Sequence, residues 1–312
     1  MAVGTLSLCP PLRRRSELSY RGQAHGDHRQ AEDLVVSRAL QECKVTNNTR
    51  VREGAGHKVS CFLELARKIA ELQFLNRDHV LLFRGQGGDH RNVKGNTSVK
   101  PTLFRPEGKG NPDRAMLEKR FEILARAERA QVGRYQAAGF RGLDRIKRHH
   151  VLRWSILQHY EVCATPLLDV THSIRIAASF ASLSAKDSGK ARAYLFVLGV
   201  PNLSGAVTAS AEAGLQIVRL SSVCPPSAVR PHIQEGYLLG QYPEVTGVAE
   251  RENYFHYEMD FGLRLVAKFH FEPNSFWTDN DFPEITKSAL YPDAKDPLHQ
   301  LALDVQKEVE KG

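Results

Sequence analysis

Between residues 158 and 171 an apolar run ends on side chains able to carry chemistry. His159, Asp169 and Thr171 need polar partners, while Leu167, Leu168 and Val170 need burial. A buried strand that offers polar groups at its edge and then enters a helix-like run, here 174–181, is one way a fold presents a site. Upstream, Val80, Leu81, Leu82 and Phe83 lead into Arg84, Gly85, Gln86, Gly87 and Gly88. That pattern predicts a guanidinium delivered at a strand end into a loop of small residues that a ligand can approach. Guanidinium supplies a rigid fork of donors for phosphate, and imidazole can move a proton near neutral pH. Cys163 follows His159 closely, yet no oxyanion element accompanies it, so it is not read as a nucleophile. Plainer roles stay open: Arg84 could brace the loop by pairing with Asp169, His159 could be a hydrogen-bonded core histidine, and Asp169 could cap the next helix.

The elements that must position these groups follow from periodicity. Ser60 is a candidate N-cap for a helix whose buried face is Phe62, Leu63, Leu65, Ala66, Ile69, Ala70 and Leu72. Asn111 or Asp113 can cap a long helix from about 115 to 136, and a second helix with Leu143, Ile146, Trp154 and Leu157 brings in Gln158 and His159. Residues 191–200, 215–220 and 263–271 are rich in Leu, Val and aromatics between Gly, Pro and Ser, as strands are. With helices early and strands late, the expected class is α+β, helices packed around a central mixed or antiparallel sheet.

Phe83-Arg84-Gly85-Gln86, the 158–181 stretch, Arg230 through Gln234-Glu235-Gly236, and Ser288 through Tyr291-Pro292-Asp293 occur in the order and spacing of the FRG domain family, which the chain resembles from about residue 58 to its end. Tyr20-Arg21-Gly22-Gln23 repeats the first motif, but no apolar strand precedes it. Glu161 departs from the glycine common at its place in the family, and the loop to Asp169 is one residue longer. The segments also resemble, more distantly, the motifs of enzymes that transfer ADP-ribose from NAD. That resemblance implies a split sheet, with NAD as a substrate. It implies Arg84, Gly85, Gln86, Thr171, Ser179 and Phe180 at the cofactor, and Arg84, His159, Asp169, Thr171, Gln234 and Glu235 as catalytic candidates. Glycosidic cleavage of NAD passes through an oxocarbenium-like state, which a carboxylate or amide at the ribose stabilises. Gln234 stands where such transferases carry a glutamate, and on a strand Gln234 and Glu235 would face opposite ways. The family also admits an effector of a toxin or phage-defence system, and the alternative to an enzyme is a non-catalytic nucleotide or nucleic-acid binding module.

Residues 1–57 show little periodicity beyond a helix-like face at 31–40 and are read as a flexible extension, with 58–312 as the FRG-like domain. No apolar run approaches the roughly 20 residues a membrane helix needs. The five cysteines, Cys9, Cys43, Cys61, Cys163 and Cys224, are scattered without metal-ligand spacing, so reduced thiols, a cytoplasmic location and no metal are expected. A formal charge of +8 favours polyanions, and Arg145, Lys147, Arg148 and Arg153 crowd together as a candidate nucleic-acid surface; a solvated helical face is the alternative.

Overall fold

An apolar run as unbroken as residues 193–200 is satisfied only where both faces of a sheet are covered, and it forms a central strand. The structure, a computed structural model, describes residues 47–108, 110–278, 281–292 and 295–311. The helix expected at 31–40, the motif copy at 20–23, and Cys9, Cys43 and Asp293 lie outside the described residues.

Among the described residues the helices are α1 (Asn48–Glu53), α2 (Phe62–Leu75), α3 (Arg114–Ala137), α4 (Leu143–Arg148), α5 (His150–His159), α6 (Ile174–Asp187), α7 (Leu220–Val223), α8 (Arg230–Ile233), α9 (Val248–Glu252), α10 (Pro273–Phe276), α11 (Lys287–Leu290) and α12 (Pro297–Lys311). The strands are β1 (His57–Lys58), β2 (Val80–Gln86), β3 (Leu168–Thr171), β4 (Ala193–Val200), β5 (Val207–Ser210), β6 (Leu215–Arg219), β7 (Gly236–Gln241) and β8 (Leu265–Phe271). The class is α+β, with one mixed sheet ordered β1-β8-β4-β2-β3-β7-β6-β5, parallel only between β1 and β8. Helices and strands interleave along the chain, so the expected order of helices first is corrected. A single registered pair, Phe83 with Thr171, joins the β1-β8-β4-β2 half to the β3-β7-β6-β5 half.

Alternation along the strands sorts the core. Leu81, Phe83, Leu195 and Val197 face α2 and α6, whereas Leu82, Phe196, Leu168 and Val170 turn to the other side, against Val99 and Phe261. Another cluster joins Val218 and Leu238 to α3, α5 and α12. Directly opposed partners share a face. Asp169, opposite Leu238, and Thr171, opposite Phe83, therefore lie on the helix-bearing face where the two halves meet.

Local expectations change at several points. Arg84, Gly85 and Gln86 are not a loop: they continue β2, paired with Phe196, Leu195 and Tyr194 of β4. Gly85 serves close packing, since a Cβ there would sit 1.8 Å from the Ala177 carbonyl oxygen in α6. The helix expected to run from Leu143 to Leu157 is two, broken at His149, whose φ of −116° and ψ of 118° are extended. Gln234 and Glu235 are not on a strand, because Gln234 caps α8 and Glu235 has a φ of 44°. Residues 47–57, read with the extension, contain α1 and enter β1; Arg52 of α1 is buried against Asp260 at 2.8 Å.

Candidate functional site

The C-terminus of α5 delivers the first side chains. Its closing turn is made by Val162 N–H donating to Leu157 O at 2.9 Å and Glu161 N–H to Gln158 O at 3.1 Å, with Glu161 at a φ of 58°. This is a Schellman closure, whose left-handed position usually holds glycine. It sets Gln158 and His159 against β3. Gln158 Nε2 donates to Asp169 Oδ2 at 2.6 Å, while its Oε1 accepts from Thr165 and Thr102. His159 Nδ1 lies 3.7 Å from Asp169 Oδ1, too long for a hydrogen bond. Arg84 crosses from β2 and donates from Nη1 to the backbone carbonyl of Asp169 at 2.5 Å.

These residues line a cleft of about 370 Å³ over the join between the sheet halves. Of the site residues expected from sequence, Arg84, Gly85, His159, Asp169, Thr171, Phe180 and Gln234 meet on its wall; Gln86, Ser179 and Glu235 do not. Ser179 is fully buried and accepts the Ile285 N–H at 3.0 Å. Glu235 is exposed beyond the left-handed turn. Two of the residues that do meet hold the wall together. The Thr171 hydroxyl is shared between the carbonyls of Gln234 (2.7 Å) and Glu235 (3.2 Å), and Gln234 Nε2 donates to Leu290 O at 2.8 Å.

Arg230, Glu161 and Tyr291 also line the cleft, a role their types alone did not reveal. The Arg230 guanidinium lies 4.5 Å from the Tyr291 ring and 5.4 Å from the Tyr160 ring, and its Nη2 reaches Glu161 Oε1 at 3.2 Å. Asp296 holds this corner: its Oδ2 accepts from Tyr160 OH (2.7 Å) and from the Arg230 N–H (2.8 Å). No periodicity or motif marks a pairing across 69 residues such as Glu161 with Arg230.

Electrostatically the cleft is a poised set. Burial, then the like charge of Arg105, pushes the Arg84 guanidinium down to about 10, so it stays a cation at neutral pH. Burial holds His159 below the ordinary imidazole value against the pull of Asp169. Burial alone would raise Asp169, but His159 beside it, the Arg84 charge and the Gln158 amide together hold it below the usual carboxylate range. Cys163 is pushed up to about 12, chiefly by burial, which leaves it an unreactive thiol. Three polar atoms of cleft-wall residues, Arg84 Nε, Arg230 Nε and His159 Nε2, are buried without a hydrogen-bond partner. An orphan of this kind costs about 1–3 kcal/mol, and each asks for an explanation.

The family model of the FRG domain matches residues 79–190. The chain carries an FRG domain. No curated protein and no solved structure matches the chain. The matched stretch of the FRG domain supplies Arg84, His159, Asp169 and Thr171, whereas Arg230, Gln234 and Tyr291 reach the cleft from beyond it.

Away from the cleft, Arg145, Lys147 and Arg148 are exposed on α4. Arg153 is removed from that surface: it is 7% exposed, pairs with Glu128 at 2.8 Å and donates to the carbonyls of Ile146 and Lys147. Among the described residues no His, Cys, Asp and Glu cluster could hold a metal ion, and no helix is long and apolar enough to cross a membrane.

Proposed function

We propose that the FRG domain takes NAD as a substrate and transfers its ADP-ribose to a macromolecular acceptor. The observation that carries this reading is the pair of buried guanidinium N–H groups without partners, Arg84 Nε and Arg230 Nε, on one cleft that also holds a histidine and a carboxylate. Two guanidiniums suit a pyrophosphate, which offers acceptors to both forks. A cleft of about 370 Å³ falls in the range of small-molecule sites, and Phe180 and Tyr291 give it an aromatic side for a planar ring.

In this reading Asp169, held ionised, stabilises the positive charge that develops on the ribose as the bond from its C1′ to the nicotinamide nitrogen breaks. Nicotinamide leaves with that electron pair. The acceptor's oxygen or nitrogen forms the new bond to C1′, and its proton passes to neutral His159, whose Nε2 is free. The test is incubation with labelled NAD and candidate proteins or nucleic acids. Release of nicotinamide with label on an acceptor is expected. Absence of binding, hydrolysis and transfer would sink the proposal.

Nucleotide binding without chemistry is the second reading. It is favoured by the Gln234 amide being tied to Leu290 and by Glu235 lying outside the cleft, so that the third motif brings no carboxylate to the cleft wall. Binding of ADP-ribose with no release of nicotinamide from NAD distinguishes it. In both readings the exposed cations Arg145, Lys147 and Arg148 provide a contact surface for a nucleic-acid backbone.

A further inference from the structure

The left-handed closing position of α5 is occupied by a residue poorly suited to it. A side chain with a Cβ at a φ of 58° costs on the order of 1 kcal/mol relative to glycine. Glu161 returns nothing to the local structure: its carboxylate caps no helix, and its recorded partner is Arg230, reached at 3.2 Å. The partnership is unequal. The Glu161 side chain is 71% exposed, whereas that of Arg230 is 5% exposed.

Arg230 is fixed on its other sides by the Tyr291 and Tyr160 rings and by its backbone N–H on Asp296. The Asp296 oxygens accept from Tyr160 OH, from the Val229 and Arg230 N–H groups and from Leu298 N–H, and among the described contacts none of them pairs with the guanidinium, whose ion-pair partner is Glu161. A rigid buried cation with one exposed carboxylate partner on the wall of a cleft is an exchange site for anions.

We infer that Glu161 is the cleft's resident anion, which neutralises Arg230 in the empty protein and is displaced by a phosphate group of the ligand. The inference rests on the reading of the cleft as a site for a phosphate-bearing ligand. It makes Glu161 a determinant of selectivity. An anion that contacts Arg230 must compete with an intramolecular carboxylate, so a diphosphate that engages Arg84 as well has an advantage over a lone phosphate.

Calorimetric titration of the full chain with ADP-ribose and with inorganic pyrophosphate tests this in wild type, Glu161→Gln and Glu161→Gly. Gln removes the charge and keeps the strained backbone; Gly removes both. Both variants should bind the two probes about two- to fivefold more tightly than wild type, the range for a largely exposed ion pair, with the gain shrinking at high salt. Binding by wild type with no gain in either variant overturns the inference and leaves the cleft reading intact. A gain in Gly alone also overturns it, because the backbone and not the charge would then be responsible. If none of the three proteins binds either probe, the cleft reading fails and this inference with it.

Discussion

Arg84 anchors on the backbone carbonyl of Asp169, at 2.5 Å, and not on its carboxylate, which is left to Gln158 and His159. The arginine's brace and the carboxylate's charge are therefore separable by mutation. Asp169→Asn keeps the carbonyl and should fold normally, with a thermal midpoint within a few degrees of wild type. If the proposed transfer takes place, its rate should fall by about 10²–10³, the usual effect of losing a preorganised charge at the reacting centre. Arg84→Ala should instead weaken ADP-ribose binding by at least about tenfold. An Asp169→Asn protein with full activity would remove the role assigned to that carboxylate.

Gly85 lies under α6 so closely that no side chain fits. A Cβ would be 1.8 Å from Ala177 O and 2.7 Å from Ala181 N, both backbone atoms that cannot step aside. Gly85→Ala should cost at least about 3 kcal/mol in urea unfolding, at the upper end of overpacking. Gly88→Ala is the control, because the atom nearest its Cβ would be the mobile Nζ of Lys190. Equal stabilities for the two variants would contradict this account.

His159 sits below its ordinary value because burial disfavours the cation. A histidine depressed in the folded state binds fewer protons there than in the unfolded chain. Its contribution to stability is complete above the unfolded value of about 6.5 and is lost as pH falls through the depressed one. His90, His256 and His270 are depressed by burial too, so the wild-type curve alone cannot isolate it. The stability difference between wild type and His159→Gln, measured by denaturant from pH 7.5 to 5, should narrow as pH falls. A constant difference would mean that His159 is not held neutral by burial.

Exposed cations on α4 and the buried Arg153 of α5 make opposite predictions. Replacing Arg145, Lys147 and Arg148 together with alanine should leave the fold intact. It should weaken duplex binding and flatten the plot of log affinity against log salt by up to about three contacts' worth. Arg153→Ala should act on stability, by about 3 kcal/mol or more, since it leaves the Glu128 carboxylate and two carbonyls without that donor. Anisotropy titrations across a salt series read the first effect and urea unfolding the second. An unchanged salt slope in the triple variant would remove α4 as the contact.

What the sequence revealed, and what it hid, divides between local and distant causes. The Val80–Phe83 strand, most of the face of α2 and one of the two caps offered for α3, Asp113, are legible because neighbours in sequence decide them, whereas Leu63, 49% exposed, falls outside that face. Continuation of β2 through Arg84, Gly85 and Gln86 was not, because pairing with β4 more than a hundred residues later imposes it. Gln234 reaches the cleft as expected but from the end of α8 rather than from a strand, a placement that Pro231 just inside the helix signals. Arg84, His159 and Asp169 stood out by residue type. Glu161 and Arg230 acquire a role only from their meeting, and Arg153 leaves the exposed charge run because Glu128, from the distant α3, and the Ile146 and Lys147 carbonyls draw it inward.

The loop after β2 is held by a buried charge pair that is separate from the cleft. Lys268 Nζ, on β8 with a side chain 0% exposed, donates to Asp89 Oδ2 at 2.8 Å and to Thr97 Oγ1 at 2.7 Å. Burial lowers this lysine against the pull of Asp89. Asp89→Ala would strand a buried ammonium and should cost about 3–5 kcal/mol, whereas adding Lys268→Met, which removes the stranded charge at similar volume, should recover most of that loss. Folded Asp89→Ala protein should bind ADP-ribose as wild type does, since neither residue lines the cleft. Urea unfolding of the two single variants and the double gives the coupling directly. A double variant no more stable than Asp89→Ala would show that the carboxylate's other partners, Arg91 and Thr97, rather than the lysine, set its importance.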